Sequence, residues 1–169
     1  DAVVIPISGG GLTSGVALAL RALRPGLVVL AAEPQGAHAD GADAAASKQR
    51  GSLATDLPRP ASICDGLLGR MGDLTWPVVR DCVDEVLPVT EEDVVDAMQL
   101  CFERLKIVVE PSAAAPLAAV LSPQFSKHPV YSQLRRVALV VSGGNVDLSA
   151  LGLWDALRAQ VAANAKSRN

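Results

Sequence analysis

Short, Val-rich apolar runs alternate along this chain with longer stretches of helical periodicity, and that rhythm limits the available folds more than any other feature. Candidate strands are Ala2–Ile7, Leu27–Ala32, Glu85–Val89 and Arg136–Val141, none with a regular polar alternation. A strand that is apolar on both sides is one covered on both faces, as in a parallel sheet lying between helices. The intervening helices have readable ends. Gly11–Arg24 stops at Arg24-Pro25-Gly26. Thr90-Glu91-Glu92-Asp93 reads as a capping box opening a helix through about Lys106, with Val94, Val95, Met98, Cys101, Phe102 and Leu105 on its apolar face. Pro111-Ser112 leads an Ala-rich helix to about Leu121, and the tail is helical from Leu148 to about Ala165. The alternation predicts an α/β fold: an open, mostly parallel sheet with helices on both faces. Residues 34–76 are rich in Gly and Pro and predict loops around one or two short helices.

Composition narrows the function classes. A chain of 169 residues that is 50% apolar and 20% charged buries enough surface for a core and is unlike a disordered segment. With aromatics at 3%, that core must be built from Ala, Val and Leu. A net charge of −3 argues against a basic nucleic-acid surface, and no apolar run approaches the ~20 residues that cross a bilayer. Cys64, Cys82 and Cys101 have no Cys-x-x-Cys spacing, so buried thiols in a reducing compartment are expected rather than zinc or disulfides. The chain opens at Asp1, without Met, directly on an apolar strand. An upstream part of the protein is therefore expected, any targeting region included, and the expected location is cytoplasmic.

Four motifs carry chemistry. Ser8-Gly9-Gly10-Gly11-Leu12 sits between a strand and a helix, where Gly lets the backbone approach a ligand and the helix start offers free N–H groups to an anion. It lacks the Gly-Lys-Ser/Thr of a Walker loop, and Gly9, Gly11 and Gly15 miss the dinucleotide spacing by one, so a phosphate monoester fits better than a pyrophosphate. Ser142-Gly143-Gly144-Asn145 follows the last strand; in a parallel sheet both turns lie at strand C-terminal ends, where α/β ligands bind. Glu110-Pro111-Ser112 reads first as a helix cap. Glu33 at a strand end, followed by His38, Asp40 and Asp43, is either a solvated loop or a set of oxygen ligands for Mg²⁺ or Ca²⁺. His38 and His128 read as surface residues.

In order and spacing this set resembles the C-terminal part of the fold-type II pyridoxal-phosphate enzymes, within them the serine racemase and serine/threonine dehydratase group. The resemblance runs through Val4-Ile5-Pro6-Ile7-Ser8-Gly9-Gly10-Gly11-Leu12, Ala31-Ala32-Glu33-Pro34, Cys64-Asp65-Gly66 and Leu74-Thr75-Trp76-Pro77. It continues in Phe102-Glu103-Arg104-Leu105-Lys106 and Val109-Glu110-Pro111-Ser112, and closes with Val141-Ser142-Gly143-Gly144-Asn145-Val146-Asp147-Leu148. It implies that Ser8, Gly9, Gly10, Gly11 and Leu12 hold the pyridoxal 5'-phosphate group and that Ser142 bonds the pyridine nitrogen. A neutral hydroxyl there leaves the ring unprotonated, which suits racemisation and β-elimination. Glu33 and the carbonyl of Ala37 match family metal ligands, but the expected Asp position reads Ala39, so Asp43 or Asp40 must substitute. Arg104, Lys106 and Asn145 match contacts to ATP, an allosteric activator in the racemases.

The family's Schiff-base lysine lies in a Ser-x-Lys-x-Arg-Gly segment, and Lys48, Lys106, Lys127 and Lys166 all lack that context. No catalytic residue is therefore assigned in this chain. Residues 1–165 are expected to be the C-terminal, cofactor-binding part of a larger domain, with 166–169 a disordered tail and the lysine upstream. The expected activity is serine racemisation with serine ammonia-lyase activity, on serine with threonine as a second candidate substrate, in a homodimer and without nucleic acid or membrane. Threonine ammonia-lyase is the alternative within this chemistry; a non-catalytic nucleotide-binding module or an inactive paralogue is the alternative outside it.

Overall fold

A computed structural model describes residues 1–36, 41–149 and 152–166. Four parallel strands, β1 (Ala2–Pro6), β2 (Val28–Pro34), β3 (Glu85–Val89) and β4 (Val137–Leu139), form one sheet in the order β3-β2-β1-β4. β1 lies between two partners: Val4 stands opposite Leu30 of β2 and opposite Leu139 of β4. Successive side chains of the two central strands point to opposite faces. Val4, Leu30 and Ala32 enter one core, with α4 (Glu91–Leu100) and α5 (Pro111–Leu121). Val3, Ile5, Val29 and Ala31 enter the other, with α1 (Gly11–Leu23) and α3 (Trp76–Cys82). Both faces are covered, as the unbroken apolar runs predict, and the fold is α/β.

Local chemistry explains the element ends. Thr90 accepts the Asp93 N–H at 3.1 Å while the Asp93 carboxylate takes the Thr90 N–H, so the capping box is formed. α1 stops at Leu23, where the Arg24 N–H still reaches the Leu20 carbonyl before Pro25 ends the helix. α2 (Asp43–Arg50) and a short 3₁₀ turn at Asp65–Leu67 are the helical pieces inside the Gly/Pro-rich stretch, and α3 starts at its end. α6 (Pro123–Ser126) is a single turn, and α7 (Leu153–Lys166) closes the described chain. Residues 167–169 of the expected tail lie outside the described residues.

Three expectations need correction. The helix opened by Thr90 is not uniform to Lys106: α4 ends at Leu100 and continues as a π-helical turn over Cys101–Leu105. Lys106 ends that turn in the left-handed region, at φ 59°. The expected start of the last helix at Leu148 falls in a local turn, where the Ser149 N–H and hydroxyl both donate to the Asp147 carboxylate. β4 is shorter than the apolar run Arg136–Val141 and only partly buried, because it pairs with β1 alone and forms the sheet edge.

The strand order also fixes where a ligand belongs. The chain steps outward from β1 through β2 to β3, then returns past β1 to lay down β4. The switch point is therefore between the C-terminal ends of β1 and β4, and open α/β sheets bind ligands in the crevice at such a point.

The central strands carry the stability. Leu30→Ala, at a fully buried site of β2, is expected to lower unfolding free energy by about 2–5 kcal/mol. The same truncation of the partly buried Leu139 should cost clearly less. Urea denaturation of both variants measures the difference, and equal losses would contradict this picture of the sheet.

Candidate functional site

At the switch point lies a cavity of about 360 Å³, lined by Ser8, Gly9, Gly10 and Gly11 after β1, by Glu110 and Ser112 at the start of α5, and by Ser142 after β4. That volume is in the range of small-ligand sites. Gly10 is the N-cap of α1, in the left-handed region at φ 85°, and no side chain caps the helix. The first N–H groups of α1 are thus left for a ligand, with the positive end of the helix dipole behind them. A Cβ at Gly10 would lie 2.8 Å from the Thr75 Oγ1 and 3.0 Å from the Met71 Sδ, so both conformation and space demand glycine. Thr75 is the clamp on this turn. Its hydroxyl donates to the Gly9 carbonyl at 2.6 Å and accepts the Gly72 N–H at 3.2 Å.

The opposite wall is built by α5 and the turn after β4. Glu110 stands at the N-cap position of α5, yet its side chain makes no cap bond. It reaches across instead: the carboxylate Oε2 accepts the Asn145 N–H at 2.8 Å, and the Glu110 N–H donates to the Gly143 carbonyl at 3.2 Å. The cap expected from Glu110-Pro111-Ser112 is therefore corrected. Ser112 accepts the Gly66 N–H at 3.0 Å, tying Cys64-Asp65-Gly66 to the same wall.

The family model for pyridoxal-phosphate dependent enzymes matches residues 1–143. The chain belongs to that family. It is 51% identical over 158 residues to a serine racemase of Arabidopsis thaliana, covering 94% of this chain and 46% of the relative. Among solved structures it superposes on maize serine racemase with a TM-score of 0.82 at 48% identity, covering 96% of this chain and 47% of that one. The serine racemase of Dictyostelium discoideum superposes with a TM-score of 0.76 at 40% identity, covering 88% of this chain and 45% of the other. The chain thus spans about half the length of the curated relatives it matches. For a pyridoxal-phosphate dependent enzyme the cavity has the right donors: uncapped N–H groups for a phosphate, a hydroxyl on the far wall, and a glycine cradle that a Cβ would fill.

The candidate metal residues are arranged differently. Glu33, at the end of β2, is buried, and its two oxygens accept the Ala44 and Ala45 N–H groups at 2.9 and 2.8 Å, at the start of α2. Asp43 is also buried and accepts the Met71 N–H at 2.8 Å. Burial pushes the Glu33 carboxyl up from 4.5 to about 8, against the pull of the two N–H donors and with added repulsion from Asp43. Burial raises Asp43 too. Two carboxylates are hard-oxygen donors of the kind Mg²⁺ or Ca²⁺ takes, and here both also accept backbone N–H groups. Among the described residues no group of three or more His, Cys, Asp and Glu makes a metal site. Ala37, Asp40 and His38 lie outside the described residues. Glu33 and Asp43 are the expected oxygen ligands that the described residues contain.

The remaining candidates sit at the margin. Arg104 lies in the π-helical turn and Lys106 caps it; both are exposed, as is Asn145. The segment that follows Lys106 runs beside the Ser142–Asn145 turn, since a Cβ at Gly144 would lie 2.9 Å from the Val108 carbonyl. Cys64, Cys82 and Cys101 are free thiols, and burial pushes Cys64 up to about 12. No lysine lines the cavity among the described residues. Lys48 is tied to α3 instead, donating to the Arg80 carbonyl at 2.6 Å. No helix among the described residues is long and apolar enough to cross a membrane. Two residues that shape the site, Thr75 and Glu110, have roles that spacing does not expose. Thr75 is 66 positions from the carbonyl it holds.

Gly10→Ala is expected to destabilise the protein by about 1 kcal/mol or more and to weaken binding of pyridoxal phosphate, because it forces a left-handed Ala against Thr75. Fluorescence titration with the cofactor, alongside thermal melting, checks both effects. A second expectation concerns pH. Between pH 4.5 and about 8 the folded protein keeps the Glu33 proton while the unfolded chain has lost it. Stability therefore falls as pH rises through that window, by at most about 1.4 kcal/mol per pH unit. Urea unfolding across this range should show the slope in the wild type and a flatter one in Glu33→Gln.

Proposed function

We propose that this chain is the cofactor-anchoring half of a pyridoxal-phosphate-dependent serine racemase with serine ammonia-lyase activity. The observation that carries the reading is the convergence of the α1 N-terminus and Ser142 on one cavity at the β1/β4 switch point. Its likeness to serine racemases of plants, at about half identity, supports the choice of substrate class. In this reading the N–H groups of Ser8–Leu12 hold the cofactor phosphate, with Thr75 and Gly10 keeping the turn in shape. The Ser142 hydroxyl donates to the pyridine nitrogen. When bound, the cofactor supplies a π-system that accepts the electron pair left at the substrate α-carbon. A neutral hydroxyl partner, unlike a carboxylate, does not favour a protonated ring, so electron withdrawal stays moderate. Arg104 and Lys106 offer exposed basic groups for ATP, with Asn145 as a neutral polar contact, and a homodimer is the expected assembly. Serine, rather than threonine, is the primary substrate.

The test is chemical. The gene product, loaded with pyridoxal phosphate and given L-serine, is expected to yield D-serine by chiral chromatography together with pyruvate. A loaded protein that leaves serine unchanged and converts threonine to 2-oxobutanoate would sink the racemase reading in favour of threonine ammonia-lyase. Ser142→Ala should weaken cofactor binding about three- to tenfold, the contribution of one hydrogen bond, without changing the circular dichroism of the fold.

A further inference from the structure

We propose that Glu110 is a positioning residue that sets Ser142 against the pyridine nitrogen; the inference rests on the cofactor reading above. The turn that carries Ser142 has little of its own to hold it. Before it, β4 is three residues long and pairs on one side only, with the Val140 N–H to the Val4 carbonyl as its last tie. After it come two glycines, the residues with the most backbone freedom. No hydrogen bond within the described residues fixes the Ser142 side chain.

Glu110 supplies the missing constraint from both ends of the residue. Its N–H donates to the Gly143 carbonyl at 3.2 Å, and its carboxylate accepts the Asn145 N–H at 2.8 Å, so the two bonds bracket Gly144. The carboxylate lies so close over the turn that a Cβ at Gly143 would be 2.7 Å from Oε2 and 2.8 Å from Cδ. Glycine at 143 is therefore the complement of Glu110, not merely a turn former. The platform behind Glu110 is rigid. Pro111 fixes the first helical residue of α5, and Ser112, Ala113, Ala114 and Ala115 that follow are buried. A residue at a cap position that gives up its cap bond to hold a loop up to 35 positions away is placed for that loop.

The experiment uses the gene product, cofactor titration and the absorbance maximum of the bound cofactor, which reports the environment of the ring. Glu110→Ala is expected to weaken cofactor binding about tenfold and to shift that maximum. Glu110→Gln keeps an oxygen acceptor for the Asn145 N–H in nearly the same shape and should restore most of both. Gly143→Ala pushes the carboxylate off the turn and should reproduce the Glu110→Ala spectrum; it serves as the readout where Glu110→Ala fails to fold. Wild-type affinity and spectrum in Glu110→Ala, or in Gly143→Ala, would overturn the inference. So would a Gln variant as impaired as the Ala variant, since charge rather than the hydrogen bond would then be responsible. A wild-type protein that takes up no cofactor refutes the proposed function directly and is seen before any variant is made.

Discussion

The structure depends on where β1 lies. It is paired along both edges and buried on both faces, and it ends at the place where the order of the sheet reverses. Those conditions fix Pro6, and with it the direction in which the chain leaves the sheet. The buried Thr13 hydroxyl donates back to the Pro6 carbonyl at 3.1 Å, locking α1 to the strand that precedes it. A helix start held this way cannot drift relative to β4, so its N–H groups and the Ser142 turn face one volume. The distance between the two walls is set by strand pairing, a spacing of about 4.8 Å per neighbour, and not by the loops.

The loops refine what the sheet provides. Gly10 accepts a conformation that other residues resist, and Thr75 and Gly72 from the segment before α3 are bonded to that turn. On the other wall Ser112 holds Gly66 and Glu110 holds the Gly143–Asn145 turn. Each clamp is a side chain at or just beyond a helix start. Such positions are rigid because the helix behind them is packed. The N–H groups at Gly9–Gly11 therefore come preorganised, with little conformational cost left for a ligand to meet.

The parts legible in the sequence were those set by short-range rules. An apolar run with no polar alternation marks β1 and β3 nearly to the residue, and Thr90 with Asp93 announces the capping box that forms. The glycine turn was readable because a strand, three glycines and a helix leave few other structures. Legibility failed where partners are remote. Glu110 looks like a cap because sequence shows Pro111 beside it and hides Asn145, which topology brings near through β4. The Ala44, Ala45 and Met71 N–H groups that face Glu33 and Asp43 are likewise invisible in the spacing. β4 read longer than it is because hydropathy does not tell an edge strand from a central one.

Two carboxylates in this architecture show how burial sorts one side chain into different tasks. Glu33 is enclosed, its carboxyl pushed up by burial, and both its oxygens accept N–H groups at the start of α2; its surroundings suit a fixed joint between β2 and the helix. Glu110 is half-buried at the cavity, with one oxygen committed to the Asn145 N–H. Both carboxyls accept backbone N–H groups, one inside the core and one at the edge of the cavity. The bond it makes can be short and well aimed, which is what two consecutive glycines need to be kept still. The wall opposite the glycine turn is therefore ordered by an acceptor that leaves the Ser142 hydroxyl uncommitted at the cavity.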